Sequence, residues 1–301
     1  MIYQRTIGEQ VSVTGVGLHS GCRVNLTLKP AKENNGIIFV RVDLKNQPSI
    51  KCHPFLINDT RLSSTLIDDN GVRIATVEHL LSSFACLGID NIIVEISASE
   101  IPIMDGSSNS FLFLLDQAEI KELKAKKKYI KINNVVEVID NDKWVKLSPF
   151  NGFKVKYTMQ YDHPLFTKEK SEYEIDFSKQ SYISELSRAR TFAFMKDIEK
   201  IRKNGLGLGG NLHNAIIIDD ETILNQDGLR YENEFVKHKI LDVIGDLYIN
   251  GHQIIGAFEG YKSGHETNNK LLRKILNTPS AWEYVEFDNE QSAPNSFHYL
   301  T

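Results

Sequence analysis

Val77-Glu78-His79-Leu80-Leu81-Ser82-Ser83-Phe84-Ala85-Cys86-Leu87-Gly88 leads through Asn91 into Ile92-Ile93-Val94-Glu95-Ile96, and the second half of the chain repeats the arrangement with Val236-Lys237-His238 running to Asn250 and Ile254-Ile255. From Ile74 to Leu87 the apolar residues Val77, Leu80, Leu81 and Phe84 recur at helical spacing, Gly88 supplies a stop, and Asn91 to Ile96 reads as a strand. The His-to-Asn interval is the same in both copies. Two histidines therefore stand at equivalent places in two similar units, which makes a site between the units a specific expectation.

Outward from this pair, the first third of the chain is dominated by period-2 runs, such as Val24, Leu26 and Leu28 alternating with Arg23, Asn25 and Thr27. Met1 to Ile7 alternates in the same way and lacks the apolar core of a signal peptide. A second helix is expected from Ser110 to Leu123. The lysines that follow, Lys124, Lys126, Lys127 and Lys128, read as a solvated linker and mark the domain boundary, giving units 1–126 and 127–301.

The chain has 301 residues, enough for two ordinary domains, and its 41% hydrophobic content can bury a sizeable core. With 35 Lys+Arg against 39 Asp+Glu the formal charge is -4, so no global field recruits nucleic acid, and an anionic ligand must be held by a local basic pocket. Cys22, Cys52 and Cys86 are odd in number and widely spaced, fitting neither a disulfide framework nor a metal knuckle, and a cytoplasmic location is expected. No apolar run approaches the roughly 18 residues of a membrane span, so an integral membrane protein is excluded.

Gly205, Gly207 and Gly210 match the dinucleotide pattern GxGxxG, but a charged helical stretch, Met195 to Lys203, precedes them and the strand-like Ala215 to Ile218 follows, the reverse of the strand-then-helix context that chemistry needs. They read as a helix stop and a loop. A more informative run is His238-Lys239-Ile240-Leu241-Asp242, with Asp246 one turn further, because residues four apart share a helix face. Imidazole plus carboxylate suits a catalytic zinc with three protein ligands, and His79 is the best third candidate; the bland alternative is a surface His–Asp pair. Glu78, beside His79, could take a proton from metal-held water, or could simply be a first-turn Glu favoured by the helix dipole. His265, in Ser263-Gly264-His265, sits in a Gly-bearing loop after a strand, where an acid or base is useful. His19, His53, His163, His213 and His252 have no such company and read as structural.

Together these motifs resemble the UDP-3-O-acyl-N-acetylglucosamine deacetylases, zinc amidases that commit Gram-negative bacteria to lipid A synthesis. The resemblance runs from Thr6 to about Tyr284. It includes Thr14-Gly15-Val16-Gly17-Leu18-His19-Ser20-Gly21, Thr76-Val77-Glu78-His79-Leu80, Ile101-Pro102-Ile103-Met104-Asp105-Gly106-Ser107, Ser187-Arg188-Ala189-Arg190-Thr191-Phe192, His238-Lys239-Ile240-Leu241-Asp242 and Lys262-Ser263-Gly264-His265. The polar tail after Glu286 carries nothing that resembles the family and has no assigned role.

The resemblance implies an α+β fold of two similar two-layer sandwich domains facing each other, each with an insert, and an active site at their interface. It implies His79, His238 and Asp242 as ligands to zinc, with ferrous iron as the alternative in the cell since the same donors suit both. It further implies Glu78 as general base, His265 as a cationic partner oriented by Asp246, and Thr191 as an oxyanion donor. The implied substrate is the UDP-3-O-acyl-N-acetylglucosamine whose N-acetyl group is hydrolysed. Lys239, Lys143 and Lys262 are expected at its diphosphate and Tyr161 near its uracil, with Leu62 and Ser63 as further substrate contacts. Phe192, Phe194, Met195, Gly210 and the segment Leu206 to Ile218 resemble an insert near 193–222 that lines an acyl-chain passage, where ordinary core packing is the alternative. A monomer is expected.

Two readings of other classes stay open from the residues. One is a nucleotide-sugar binding protein with a structural metal, although such sites close with four protein ligands and the cysteines cluster with none of the candidates. The other is a metal-free hydrolase pairing a serine with His265 and Asp246, although the chain has no GxSxG elbow.

Overall fold

The structure is a computed structural model and describes residues 1–167 and 171–298. It is mixed α+β, with several sheets packed on helices. In Arg23–Pro30 the alternation seen in sequence buries Val24, Leu26 and Leu28, and this strand lies in a five-stranded sheet ordered Val11–Val16, Arg23–Pro30, Ile92–Ile96, Ile37–Arg41, Ser49–Lys51. The central strand Ile92–Ile96 pairs antiparallel with Arg23–Pro30 and parallel with Ile37–Arg41.

The second half contains the same pattern. Gln253–Tyr261 pairs antiparallel with Lys143–Ser148 and parallel with Phe153–Thr158, flanked by Val136–Asp140 and Glu172–Asp176; Tyr129–Ile132 and Trp282–Val285 extend this sheet to seven strands. In each half the central strand is the one that follows a His-bearing helix, α1 (Glu78–Leu87) in the first and, fourth in order, α4 (Glu234–Tyr248) in the second. Between these lie α2 (Asn109–Gln117) and α3 (Met195–Lys203), and α5 (His265–Leu276) follows. The repeat read from two histidines thus extends to strand order and orientation.

Helices α1 and α4 pack directly on each other. The Ser82 hydroxyl donates to the Leu241 carbonyl at 2.9 Å. Gly245 permits the close crossing, because a Cβ at that position would overlap the Glu78 carbonyl oxygen. Both helices are therefore buried nearly all round, and the residues on their facing sides lie within reach of one another.

Three sequence expectations are corrected here. The second helix ends at Gln117 rather than Leu123, because Ile120–Lys126 is a strand paired antiparallel with Tyr3–Ile7, a non-local partner that overrides local helical character. The lysine run is no linker: Lys124 and Lys126 lie in that strand with their side chains exposed, whereas Lys127 is 0% exposed, with Nζ 2.6 Å from Asp90 Oδ1 and 2.9 Å from the Gly88 carbonyl at the end of α1. The tail after Glu286 is not idle either, since Phe297 is buried against the Tyr129 ring and the Ser296 hydroxyl accepts from the Phe153 N–H.

An insert in the second half is a βαβ unit: Phe192–Phe194 and Ile216–Ile218 pair in parallel, with α3 and the glycine loop between them. Gly205 and Gly207 have φ of 72° and 66°, the left-handed conformation of a helix stop, as expected from the sequence.

Candidate metal centre and substrate cleft

Helical spacing places His238 and Asp242 on one face of α4, and the crossing at Gly245 brings His79 of α1 onto them. Asp242 Oδ1 lies 3.3 Å from His79 Nε2 and 3.4 Å from His238 Nε2, and the ligand atoms of the three residues all lie within 4.8 Å of one another. His238 is 1% exposed, which removes the reading as a surface pair. Its Nδ1 lies 3.1 Å from the Ala189 carbonyl, which can only accept, so Nδ1 carries the proton and the Nε2 lone pair faces Asp242. Burial pushes this imidazole down to about 3, against the pull of Asp242, and it is therefore neutral. Burial opposes the Asp242 charge, but the Lys239 ammonium 3.0 Å away helps to hold its carboxyl well below the usual range, so it is ionised. Asp242 Oδ1 has no hydrogen-bond partner although it is buried. A carboxylate oxygen and an imidazole lone pair held together with no donor between them repel, and a cation relieves that repulsion. The donor set fits a divalent metal.

Glu78, the first residue of α1, is buried beside this cluster, with Oε2 accepting from the Ser64 N–H at 3.1 Å. Burial pushes its carboxyl up to about 7, against the attraction of His265 and His79. His265 Nε2 lies 3.9 Å from Glu78 Oε1, and its Nδ1 lies 2.9 Å from Asp246 Oδ2. Burial disfavours the charge on His265, but Asp246 and Glu78 outweigh it and lift the imidazole to about 9. Asp246 is itself fixed by the Ser64 hydroxyl at 2.6 Å and the Asn268 amide at 2.8 Å. His265 opens α5 rather than sitting in a free loop, so its backbone is held by the helix.

A cavity of about 690 Å³ reaches this cluster at His265 and Lys239 and is lined further by Thr191, Tyr161, Phe192 and residues of the insert. Part of its lining is cationic and aromatic: the Lys239 ammonium bridges to Asp242 at 3.0 Å and lies over the Phe192 ring, and Lys143 and Lys262 also line the wall. Another part is apolar, supplied by Leu18, Ile198, Ile201, Ala215 and Ile217, with Gly207 and Gly210. Residues 4–277 match the sequence profile of the family UDP-3-O-acyl N-acetylglycosamine deacetylase, LpxC. The chain belongs to this deacetylase family. It is similar to the UDP-3-O-acyl-N-acetylglucosamine deacetylase of Chromobacterium violaceum, at 55% identity over 100% of this chain and 99% of the relative. The protein of that name from Neisseria meningitidis serogroup A is 56% identical over 99% of this chain and 97% of the relative, and that from Haemophilus influenzae is 52% identical over 99% and 97%.

Of the residues that the deacetylase resemblance singled out, His79, His238, Asp242, Glu78, His265 and Asp246 meet in one buried cluster. Thr191, Lys239, Lys143, Lys262, Tyr161, Leu62, Phe192, Phe194 and Gly210 line the cavity beside it. Ser63 is buried next to Leu62 and is not on the cavity wall; Met195 is half exposed on the outer face of α3 and lines a separate shallow groove. Met195 stands outside because Ile198 and Ile201 take the cavity-facing side of that helix. Leu208 and Leu212 are exposed, so only part of Leu206 to Ile218 faces the cavity.

His19, read as structural, is a correction: it lines the cavity, and its buried Nε2 has no hydrogen-bond partner. Glu100 places it, accepting from the backbone N–H of His19 and of Ser20 at 2.8 Å each. Nothing in the local sequence around His19 signals this, because the clamp lies 81 residues away. Ser64 and Asn268 were missed as well; Asn268 could have been found as the residue one turn after His265.

Proposed function

We propose that the chain hydrolyses the N-acetyl group of UDP-3-O-(3-hydroxyacyl)-N-acetylglucosamine, giving UDP-3-O-acyl-glucosamine and acetate, with His79, His238 and Asp242 holding a divalent metal, zinc foremost. The observation that carries this reading is the convergence of three buried acceptors beside a carboxylate and an imidazole of opposed titration. A metal held there supplies Lewis-acid polarisation of the acetamide carbonyl and acidification of water. Ferrous iron meets the same donors equally well.

Glu78, ionised above its raised value, accepts a proton from the attacking water as the water oxygen bonds the acetyl carbon. The Thr191 hydroxyl faces the cavity and donates to the oxygen on which charge develops; its backbone is held at both ends, N–H to the Gly106 carbonyl and C=O from the Ile216 N–H. His265 gives its Nδ1–H to Asp246, so the transferable proton sits on Nε2, aimed at the nitrogen that leaves. Donation of that proton accompanies breakage of the C–N bond and yields the free amine and acetate. Asp246 supports the imidazolium and keeps the ring in this tautomer.

Lys239, Lys143 and Lys262 supply the local cationic pocket that a diphosphate needs on a chain of net negative charge, and Tyr161 offers an aromatic face for uracil. The apolar part of the cavity lining receives the acyl chain. We read the two matching sheets and their helices as two facing α/β sandwich domains, 1–126 and 127–301, with the site between them. No helix of the described residues is long and apolar enough to cross a membrane, and the three cysteines are free, which supports a cytoplasmic protein; we take it to be a monomer. Acetate release from the acylated UDP-sugar tests the reading: the zinc-loaded enzyme should turn over, a chelator should abolish this, and added zinc should restore it. Undiminished turnover after chelation would return the serine–histidine hydrolase to favour.

A further inference from the structure

Two motifs of the chain, Ile103-Met104-Asp105-Gly106-Ser107 and Ser187-Arg188-Ala189-Arg190, place no side chain on the reacting atoms, yet they end in one ionic network that is buried at Arg190 and Glu234 and half-buried at Arg230 and Asp105. Its hub is Glu234, the first residue of α4, fully buried and one helical turn before His238. Glu234 Oε1 accepts from Arg190 N–H at 3.0 Å and Arg190 Nε at 2.8 Å. Its Oε2 accepts from Arg190 Nη2 at 3.1 Å and from the Arg230 N–H at 2.6 Å. Arg190 also reaches the Gly228 carbonyl at 2.8 Å, and Arg230 Nη1 bridges Asp105 Oδ2 at 2.7 Å and the Arg188 carbonyl at 3.0 Å.

The two neighbours of Arg190 are the groups that matter to the site. The Ala189 carbonyl receives the Nδ1–H of His238, and Thr191 is the cavity-lining hydroxyl. Residues 187–191 have no regular secondary structure of their own; the Thr191 backbone is tied to Gly106 and Ile216, and the segment is joined to α4 through Glu234 and the His238–Ala189 hydrogen bond. A bidentate arginine–carboxylate pair fixes distance and orientation together, which a point charge cannot do. We propose that Glu234 and Arg190 form a positioning clamp that locks the Ala189 carbonyl and the Thr191 hydroxyl to the helix carrying His238 and Asp242. Through it one carboxylate sets both the orientation of a metal ligand and the oxyanion donor. The inference rests on the metal-dependent deacetylation proposed above.

The test uses the full-length chain in four forms: the parent, Glu234→Gln, Arg190→Lys and the apolar double variant Arg190→Met/Glu234→Leu. The measurements are thermal unfolding, zinc dissociation constant by chelator competition, and kcat and KM for the acylated UDP-sugar. Loss of an outer-shell partner weakens metal binding or activity by about 10–100-fold, so both single variants should weaken zinc by about that factor and lower kcat while KM stays within roughly twofold. The double variant removes the charges as a pair but leaves the Arg190 and Arg230 N–H groups without their Glu234 acceptor. Its melting temperature should rise above those of the single variants without reaching the parent's, and it should recover neither zinc affinity nor kcat. If Glu234→Gln fails to fold, Arg190→Lys and the double variant carry the comparison. Folded single variants with parental zinc affinity and kcat overturn the clamp, as does a double variant that regains both, which reduces the pair to a structural role. A parent that binds no zinc and releases no acetate overturns the reading of the site itself. A parent that binds zinc without deacetylating overturns the reaction alone and leaves the zinc measurements to decide the positioning of His238.

Discussion

Glu78 and His265 stand 3.9 Å apart and are set by their surroundings to titrate on either side of an interval in which the carboxylate is ionised and the imidazole protonated. Glu78 becomes competent as a base as pH rises through about 7, and His265 ceases to be an acid as pH rises through about 9. The profile of kcat/KM, which reports the free enzyme, should therefore be a bell with limbs near those values. His265→Ala should lose the basic limb and most of the activity, and Asp246→Asn, by removing the charge that lifts the imidazole, should move that limb to lower pH. A basic limb unchanged in His265→Ala would assign it to another group. At this scale the sequence was most legible where one helix carries the chemistry. The spacing of four predicts His238, Asp242 and Asp246 on one face of a helix, and α4 carries them so. His19 was not found, because its place on the cavity wall comes from the Glu100 carboxylate holding a distant loop.

Among the elements, the crossing of α1 and α4 does most to build the centre, and the repeat of Val-x-His before a stop and a strand made both helices readable. Pairing in three dimensions was less legible. Ile120–Lys126 keeps enough helical character to extend α2 on paper, and only the antiparallel partner Tyr3–Ile7 makes it a strand. Lys127 shows the same limit: a lysine in a basic run usually lies in water, yet here Asp90 and the Gly88 carbonyl bring it fully inside. Removing one partner of a buried pair leaves the other charge uncompensated, so Lys127→Ala should cost about 3–5 kcal/mol in urea unfolding. A loss below about 1 kcal/mol would mean that the ammonium is solvated after all. Replacing both residues, as in Lys127→Met/Asp90→Leu, should recover only part of the difference, since it removes the charge pair but leaves the buried Arg5 N–H without the Asp90 oxygen that accepts from it at 2.8 Å.

One cavity is lined both by Lys239, Lys143 and Lys262 and by Ile198, Ile201, Ala215 and Ile217, and Lys239 joins it to the His79, His238 and Asp242 cluster through Asp242. Burying a methylene contributes about 0.8 kcal/mol, so a chain of about ten could supply up to roughly 8 kcal/mol before ordering costs. Energy from this remote group can be used in the transition state, and UDP-N-acetylglucosamine without its 3-O-acyl chain should lose about a thousandfold or more in kcat/KM. Equal rates for the two substrates would return Gly207, Gly210 and Ile217 to ordinary packing. The proposed division of labour between the three acceptors and the neighbouring carboxylate is read out by zinc content measured beside turnover. His79→Ala, His238→Ala and Asp242→Ala should each lose bound zinc and activity, whereas Glu78→Ala should retain about one zinc per chain and lose turnover, because Glu78 moves protons and does not bind the metal. A Glu78→Ala enzyme that keeps both its zinc and its activity, or ligand variants that keep parental zinc, would contradict the account.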